Sequence, residues 1–204
     1  MKDSKSSHII QPTENWFNSD SRFDKLYPLH IRQLGSRHWT NLEVAESAAN
    51  FLAAGKGAKI LDIGSGVGKF CLAAAHYKPD AQYFGVEQRK DLVGYADAAR
   101  NTLKFNHVHF IHGNFKDLDF SHYDHFYFYN AFYENIAGES MIDESLPYSA
   151  DIFNQYNWLL YKELQKRPSG TRLATYHSTE NEIPEDYLLV GSDMDELVKF
   201  WMKE

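Results

Sequence analysis

Apolar and polar positions follow two alternating periods from residue 58 to the end of the chain. Short apolar runs, as expected for strands that are buried on both faces, occupy residues 58–64, 82–88, 108–114, 123–130 and 172–177. Apolar residues at helical spacing separate these runs, as in Phe70, Ala73, Ala74 and Tyr77, or Leu92, Ala96, Ala99 and Leu103. The pattern therefore predicts strands that alternate with helices.

This alternation is typical of an α/β protein with a doubly wound, mostly parallel sheet. A further helical pattern contains Ile152, Tyr156 and Leu160, and apolar pieces between residues 187 and 201 predict an antiparallel C-terminal hairpin. Ligands of such sheets bind at the carboxyl ends of the strands. The residues that follow each strand are therefore the candidate functional residues.

Residues 1–57 have a different character. Several large aromatic side chains, among them Trp16, Phe23 and Trp39, lie among polar residues without a clear period. Residues 40–43 match a capping box, which predicts a helix that ends near Gly55. We divide the chain into an N-terminal helical and aromatic cap, residues 1–57, and an α/β domain, residues 58–204. The alternative is an N-terminal arm that only packs on the domain.

The strongest motif is a D-x-G-x-G-x-G sequence between the first strand and the first helix of this domain. It contains Asp62, Gly64, Ser65, Gly66 and Gly68. Glycines permit positive φ angles and let the backbone approach a ligand closely, and the helix that follows presents free N–H groups to an anion. A turn without a ligand needs only one or two glycines, so the motif predicts a cofactor loop.

The spacing of the loop separates two classes of cofactor. A dinucleotide fingerprint, G-x-G-x-x-G, requires glycine at position 69, where this chain has Lys69. The observed G-x-G-x-G, with Asp62 two residues before it, resembles the first motif of class I S-adenosylmethionine-dependent methyltransferases. The resemblance implies a Rossmann-like methyltransferase fold and S-adenosyl-L-methionine as cofactor. It also implies that the loop wraps the methionine part, with Asp62 nearby.

Two further strand ends supply candidate cofactor ligands. Glu87 and Gln88 end the second strand, and Glu87 lies 23 residues after Gly64, close to the offset of a ribose-binding carboxylate. After the third strand come Asn114 and Phe115. The family resemblance implies that Asn114 receives the adenine amino group, and Phe115 can stack on the ring. A polar turn residue followed by a core phenylalanine is the alternative interpretation of this pair.

The end of the fourth strand is where the transferred methyl group is expected to point. Asn130, Tyr133 and Glu134 are the catalytic candidates there, and Asn130 is also a candidate cofactor contact. Some amino methyltransferases carry N-P-P-Y at this place, but both prolines are missing here. His30 is a further candidate base. The segment 131–148 is long for a simple connection, which favours a functional loop.

A finer resemblance covers residues 58–135. The sequences at residues 61–68, 85–87 and 130–132 are similar to the catalytic domain of non-SET histone-lysine methyltransferases. The long helical N-terminal domain and the basic flank of that family are missing, so the resemblance does not predict histone as the substrate.

Charge and composition limit the classes of binding partner that we expect. The net charge is −7, and residues 58–204 hold 14 Lys/Arg against 22 Asp/Glu, which makes the domain a poor general surface for nucleic acid. None of the ten histidines forms the H-E-x-x-H pattern, so no metal is expected. One cysteine and the lack of an apolar stretch of about 18 residues favour a cytoplasmic protein without a membrane partner.

The sequence thus predicts an S-adenosylmethionine-dependent methyltransferase with an unidentified acceptor. A protein side chain or a small molecule is favoured over nucleic acid, and the oligomeric state stays open. The alternatives are a cofactor-binding module without catalysis and, more remotely, an NAD-dependent oxidoreductase.

Overall fold

The computed structural model describes residues 15–132 and 149–204, apart from the side chains of residues 36 and 37. Within these ranges the α-helices are α1 Asp20–Phe23, α2 Leu29–Arg32, α3 Gly35–His38, α4 Leu42–Leu52, α5 Lys69–Tyr77, α6 Lys90–Leu103 and α7 Ala150–Gln165. The strands are β1 Lys59–Ile63, β2 Gln82–Glu87, β3 Val108–His112, β4 His125–Phe128, β5 Arg172–Tyr176, β6 Tyr187–Asp193 and β7 Val198–Lys203.

The strands form one seven-stranded sheet in the order β3-β2-β1-β4-β5-β7-β6. The first five are parallel, whereas β7 pairs antiparallel with both β5 and β6. The predicted doubly wound sheet with an antiparallel C-terminal hairpin is therefore confirmed. The strand order reverses between β1 and β4, and ligands of open α/β sheets bind beside such a reversal.

Two apolar clusters cover the two faces of the sheet. Successive side chains of a strand point to opposite faces, so Ile60 packs with α4, α5 and α6, whereas Leu61 and Ile63 pack with α7. The first cluster also contains Phe23 and Trp39 from the segment before α4. That segment therefore packs in the same core as the sheet.

The start of α4 differs from the predicted capping box. The N-cap is Asn41, whose side chain makes no capping hydrogen bond. Thr40 Oγ1 instead lies 2.9 Å from the hydroxyl oxygen of Tyr127, and the Leu42 N–H donates to Asp20 Oδ1 at 3.0 Å. The predicted capping box is wrong, because side chains that are distant in sequence, Tyr127 and Asp20, bind the Thr40 hydroxyl and the Leu42 N–H instead.

One side-chain hydrogen bond joins the hairpin to β5 and another joins it to α7. Trp201 Nε1 donates to Thr175 Oγ1 at 3.0 Å, and the Tyr187 hydroxyl donates to the Leu164 carbonyl at 3.2 Å.

None of the helices in the described ranges is long and apolar enough to span a bilayer.

Candidate functional site

The glycine loop joins β1 to α5 and has three glycines in left-handed backbone conformations. Gly64, Gly66 and Gly68 have φ angles of 77°, 53° and 80°, which other residues adopt only with strain. The N–H groups of Gly64 and Ser65 both donate to the Val86 carbonyl, at 3.0 and 2.9 Å. The loop is thus held against the end of β2.

A tight approach also explains why position 64 is glycine. A Cβ atom at Gly64 would lie 2.4 Å from the Cβ of Ala131. At Gly66, in contrast, a Cβ would meet no atom within 4 Å. The loop therefore contacts the segment after β4 at one glycine and leaves open space at the next.

Glu87, at the end of β2, binds the loop through its carboxylate. Oε2 accepts a hydrogen bond from the Gly66 N–H at 3.1 Å, and Oε1 accepts one from the Arg89 N–H at 2.8 Å. The Arg89 guanidinium lies 3.6 Å from Oε1. A carboxylate has about four acceptor positions, so these two backbone bonds leave capacity for further donors.

A cavity of about 650 Å³ opens beside the loop and Glu87. Six of the ten predicted cofactor ligands line it, namely Gly64, Gly66, Glu87, Gln88, Phe115 and Asn130. Its volume lies within the range of small-molecule sites in proteins. The structure thus brings together residues from the ends of β1, β2 and β4 and from the turn after β3.

The other four predicted ligands, Asp62, Ser65, Gly68 and Asn114, do not line the cavity. Asp62 is buried behind the loop, where Cys71 Sγ donates to its Oδ2 at 3.6 Å. Burial raises the pKa of the Asp62 carboxyl to about 8; the Cys71 hydrogen bond lowers this pKa, and the charge of Glu87 raises it. Asp62 therefore favours its neutral form at neutral pH.

Ser65 and Gly68 pack against neighbouring strands. Ser65 Oγ is buried and makes no hydrogen bond in the described part of the chain. A Cβ at Gly85 would come within 2.7 Å of that side chain, and one at Gly68 would come within 2.3 Å of Phe110. Both glycines thus allow the loop and α5 to approach the sheet.

Asn114 supports the cavity wall from behind. Its Nδ2 donates to Gln88 Oε1 at 2.8 Å and to the Tyr156 hydroxyl at 2.6 Å, and its Oδ1 accepts from the Lys116 N–H at 3.2 Å. The adjacent Phe115 stacks on Phe132 with ring centroids 5.0 Å apart. In this arrangement Asn114 orients Gln88, which itself faces the cavity.

The ends of β4 and β5 form the other side of the cavity. Phe128 pairs with Thr175 in the sheet register, so Asn130 and His177 occupy equivalent positions two residues later. Both line the cavity and both have positive φ, 36° and 51°. Such conformations in residues other than glycine concentrate at functional sites.

Sequence reasoning did not select His177, although the predicted fifth strand ended on it. The other base candidates lie elsewhere: Tyr133 and Glu134 are outside the described residues, as is most of the segment 131–148. His30 is exposed, and its Nε2 lies 3.1 Å from the Tyr95 hydroxyl oxygen rather than at the cavity. Its role as a base has no support from this position.

Leu34, His38 and Trp39 complete the cavity from the segment that precedes α4. The sequence predicted that residues 1–57 form a cap over the site, but periodicity did not single out these three side chains, because they belong to helices of four residues each or to the turns after them.

Comparison with known proteins identifies the family. A family model described as "Methyltransferase domain" matches residues 54–194. The chain is also 48% identical over 54 residues to the tRNA (guanine-N(7)-)-methyltransferase of Synechococcus sp. (strain JA-3-3Ab), which is 26% of this chain and 23% of that protein. The chain thus aligns with about a quarter of the length of the curated relatives it matches.

Solved structures share the fold at low sequence identity. TrmN from Thermus thermophilus has a TM-score of 0.55 and 14% identity, over 84% of this chain and 51% of that one. An RNA methyltransferase from Salinibacter ruber, solved with S-adenosyl-L-homocysteine, has a TM-score of 0.51 and 19% identity, over 79% of this chain and 89% of that one. Together with the family model, these matches confirm the class I methyltransferase superfamily. The finer resemblance to histone-lysine methyltransferases is not confirmed.

Proposed function

Because this chain belongs to the methyltransferase domain family, we propose that it binds S-adenosyl-L-methionine in the cavity beside the glycine loop and transfers its methyl group to an acceptor. The observation that carries the proposal is the Glu87 carboxylate, which is fixed at the cavity by the Gly66 N–H. A carboxylate in this position supports the proposal, because it can accept hydrogen bonds from ribose hydroxyls beside the loop.

The residues present fit this cofactor. The open space beside Gly66 is a cradle that any side chain at this position would fill. Glu87 would hold the ribose hydroxyls, and Gln88 and Phe115 would bound the adenine. The loop would contact the methionine part, with Asp62 behind it. When bound, the cofactor supplies a methyl group that is activated on a sulfonium.

Asn130 and His177 face the expected position of the acceptor. A side-chain amide can orient an acceptor through both a donor and a carbonyl oxygen. An amine or hydroxyl acceptor must also lose a proton, and His177 is a cavity residue that can accept one. The rings of Tyr129 and Phe132 line the same side, and aromatic faces attract a nearby cation by about 0.5–2 kcal/mol.

The cofactor proposal is tested by adding one methyl group to the cradle. Gly66→Ala should weaken binding of S-adenosylhomocysteine, measured by calorimetry, by at least about tenfold, which corresponds to about 1.4 kcal/mol. Gly170→Ala is the matched control, because Gly170 also has positive φ, 83°, and open space around its Cβ position, but does not line the cavity.

Equal affinities in the two variants would contradict the proposal, because both carry the same kind of backbone strain. Titration with NAD separates the remaining oxidoreductase alternative, for which we expect no heat.

Two acceptor classes are candidates. We favour a small molecule or a protein side chain, because the described domain is acidic and nucleic acid requires neutralisation of phosphates. A nucleic-acid base is the second candidate, and the observation that favours it is the name of the curated relative, a tRNA (guanine-N(7)-)-methyltransferase.

Transfer of a radiolabelled methyl group to cell extract distinguishes these classes. The extract is separated into RNA, protein and small-molecule fractions after the reaction, and extract without added protein serves as the control for background labelling. Label in the RNA fraction would overturn our preference. Cofactor binding without label in any fraction would favour the binding module without catalysis.

A further inference from the structure

We propose that Lys69 and Tyr27 are positioning residues for cofactor binding. They anchor the N-terminal segment, residues 15–40, to the glycine loop, and so hold Leu34, His38 and Trp39 as one wall of the cofactor cavity. The inference rests on the proposed function, because it concerns the same cavity.

Lys69 begins α5 directly after the last glycine of the loop and is a buried cation. Its Nζ lies 2.7 Å from both Asp20 Oδ1 and Asp24 Oδ1. The same nitrogen lies 5.5 and 5.6 Å from the ring centroids of Phe23 and Trp39. A buried charge is tolerated only when it is paired, so docking of the N-terminal segment provides what this lysine requires.

Asp20 extends the connection to the next helix. Its Oδ1 accepts the Leu42 N–H at 3.0 Å in addition to the bond from Lys69. One carboxylate of α1 therefore joins the start of α5 to the start of α4. The capping box that the sequence predicts at α4 is replaced by this contact.

Tyr27 makes a second, independent connection. Its hydroxyl donates to the carbonyl of Val67, inside the glycine loop, at 3.0 Å. Its buried ring packs against Trp39 with centroids 4.9 Å apart and 60° between the planes. The aromatic ring that lines the cavity and the backbone of the cofactor loop are thus fixed by one side chain.

These contacts couple the position of the wall to that of the loop. Release of the segment would remove Leu34, His38 and Trp39 from the cavity, whereas the hydrogen bond between Gly66 and Glu87 involves no residue of the segment. A cofactor bound between wall and loop would in turn hold the segment in place. We therefore expect affinity for the cofactor and protection of the N-terminal segment to change together.

Lys69→Met is the first test, since methionine keeps the apolar stem and removes the charge. The partner carboxylates are partly exposed, at 43% and 23% of the Asp20 and Asp24 side chains, so water can solvate them after the substitution. We expect S-adenosylhomocysteine to bind at least about tenfold more weakly in calorimetry. Trypsin should also cleave faster after Arg22 and Lys25, and the ligand should no longer slow this cleavage.

Lys203→Met is the matched control. Lys203 is likewise buried, is bonded to the Asp186 carboxylate and lies over a ring, that of Tyr187, but it belongs to the C-terminal hairpin. This variant reports the general cost of removing a buried lysine. We expect it to keep the wild-type affinity for S-adenosylhomocysteine and the wild-type cleavage pattern at Arg22 and Lys25.

Tyr27→Phe provides a milder test that preserves the ring packing. It should weaken S-adenosylhomocysteine binding by a few-fold and raise trypsin cleavage of the segment. Tyr83→Phe is its control, because the Tyr83 hydroxyl also donates to a backbone carbonyl, that of Lys78, at 3.0 Å but away from the cavity. Wild-type affinity is expected for this control.

The inference is overturned when wild-type protein binds S-adenosylhomocysteine and both Lys69→Met and Tyr27→Phe bind it equally well. It is also overturned when each test variant loses no more affinity than its control. Failure of the wild type to bind the ligand would instead contradict the proposed function.

Discussion

The buried carboxyl of Asp62 makes the stability of the folded protein depend on pH. Its carboxyl lies behind the glycine loop beside Cys71, and burial raises its pKa to about 8 from the usual 3.8. The folded state therefore binds this proton more tightly than the unfolded chain does. The stability that depends on protonated Asp62 is complete below about pH 4 and is lost as the pH rises to about 8.

Asp62→Asn should accordingly become more stable relative to wild type as the pH increases. The difference in the free energy of unfolding should grow by at most about 1.4 kcal/mol per pH unit between about pH 5 and 8. Urea unfolding at several pH values measures it, and Asp80→Asn, at an exposed site, is the control. A difference that is independent of pH would contradict the assigned burial effect.

Individual residues also show what sequence could and could not predict. Glycine spacing and the offset of Glu87 located the loop and the carboxylate, because both depend on backbone geometry that repeats wherever such a loop occurs. Sequence did not indicate the hydrogen bonds that Asn114 makes or the position of His177 at the cavity. The hydrogen bonds of Asn114 reach Gln88 and Tyr156, 26 and 42 residues away, and no local pattern encodes such distances.

At the scale of elements, two pairs of strands supply different sides of the cavity, β1 and β2 on one side and β4 and β5 on the other. Under the proposed function, β1 and β2 would present the loop and Glu87 to the cofactor, whereas Asn130 and His177 follow β4 and β5. Because parallel strands end at one edge of the sheet, the two sets of residues meet there. This division predicts that binding and turnover can be changed separately.

Asn130→Ala should leave S-adenosylhomocysteine affinity nearly unchanged and reduce methyl transfer about 100-fold, the effect of a poorly oriented reactant. Asn130→Gly is the companion variant, because glycine adopts the positive φ of this position without strain. The rate of methyl transfer is measured with the fraction of cell extract, whether RNA, protein or small molecules, that accepts the radiolabelled methyl group. Parallel losses of affinity and turnover in both variants would refute the division.

The elements themselves were predictable where burial is regular. β1 to β5 lie within the predicted apolar runs, because most residues of β1, β2, β4 and β5 are buried; β3, at the edge of the sheet, is only partly buried. The N-terminal helices α1, α2 and α3 have four residues each, too few for a periodic pattern. Their positions depend on contacts such as Lys69 with Asp20, which the sequence separates by 49 positions.

For the whole molecule, we expect the N-terminal segment and the sheet to unfold together, because they share one apolar core. Phe23, Tyr27 and Trp39 belong to the same apolar cluster as Ile60 and Phe70. Cooperative unfolding of a shared core gives coincident transitions with different probes.

We therefore expect urea transitions followed by tryptophan fluorescence and by far-ultraviolet circular dichroism to coincide in the wild-type protein. Lys69→Met should separate them, because Trp39 would leave its environment before the sheet unfolds. Saturation with S-adenosylhomocysteine at about 100 times Kd should add about 2.7 kcal/mol to the stability of the wild type. Two separate transitions in the wild type would show that the segment is an independent unit.

The close approach of Gly64 to Ala131 has a consequence for protein engineering. Under the proposed function, the glycine loop would face the methyl donor and the segment after β4 would lead to the acceptor, and at Gly64 the space between them holds only the methyl group of Ala131. Exchanging the stretch after β4 for that of another enzyme, in order to change acceptor preference, would then require a small side chain at the position of Ala131, the third residue after β4. A bulky one would wedge the two apart, and a graft intended to alter specificity would disturb donor affinity instead.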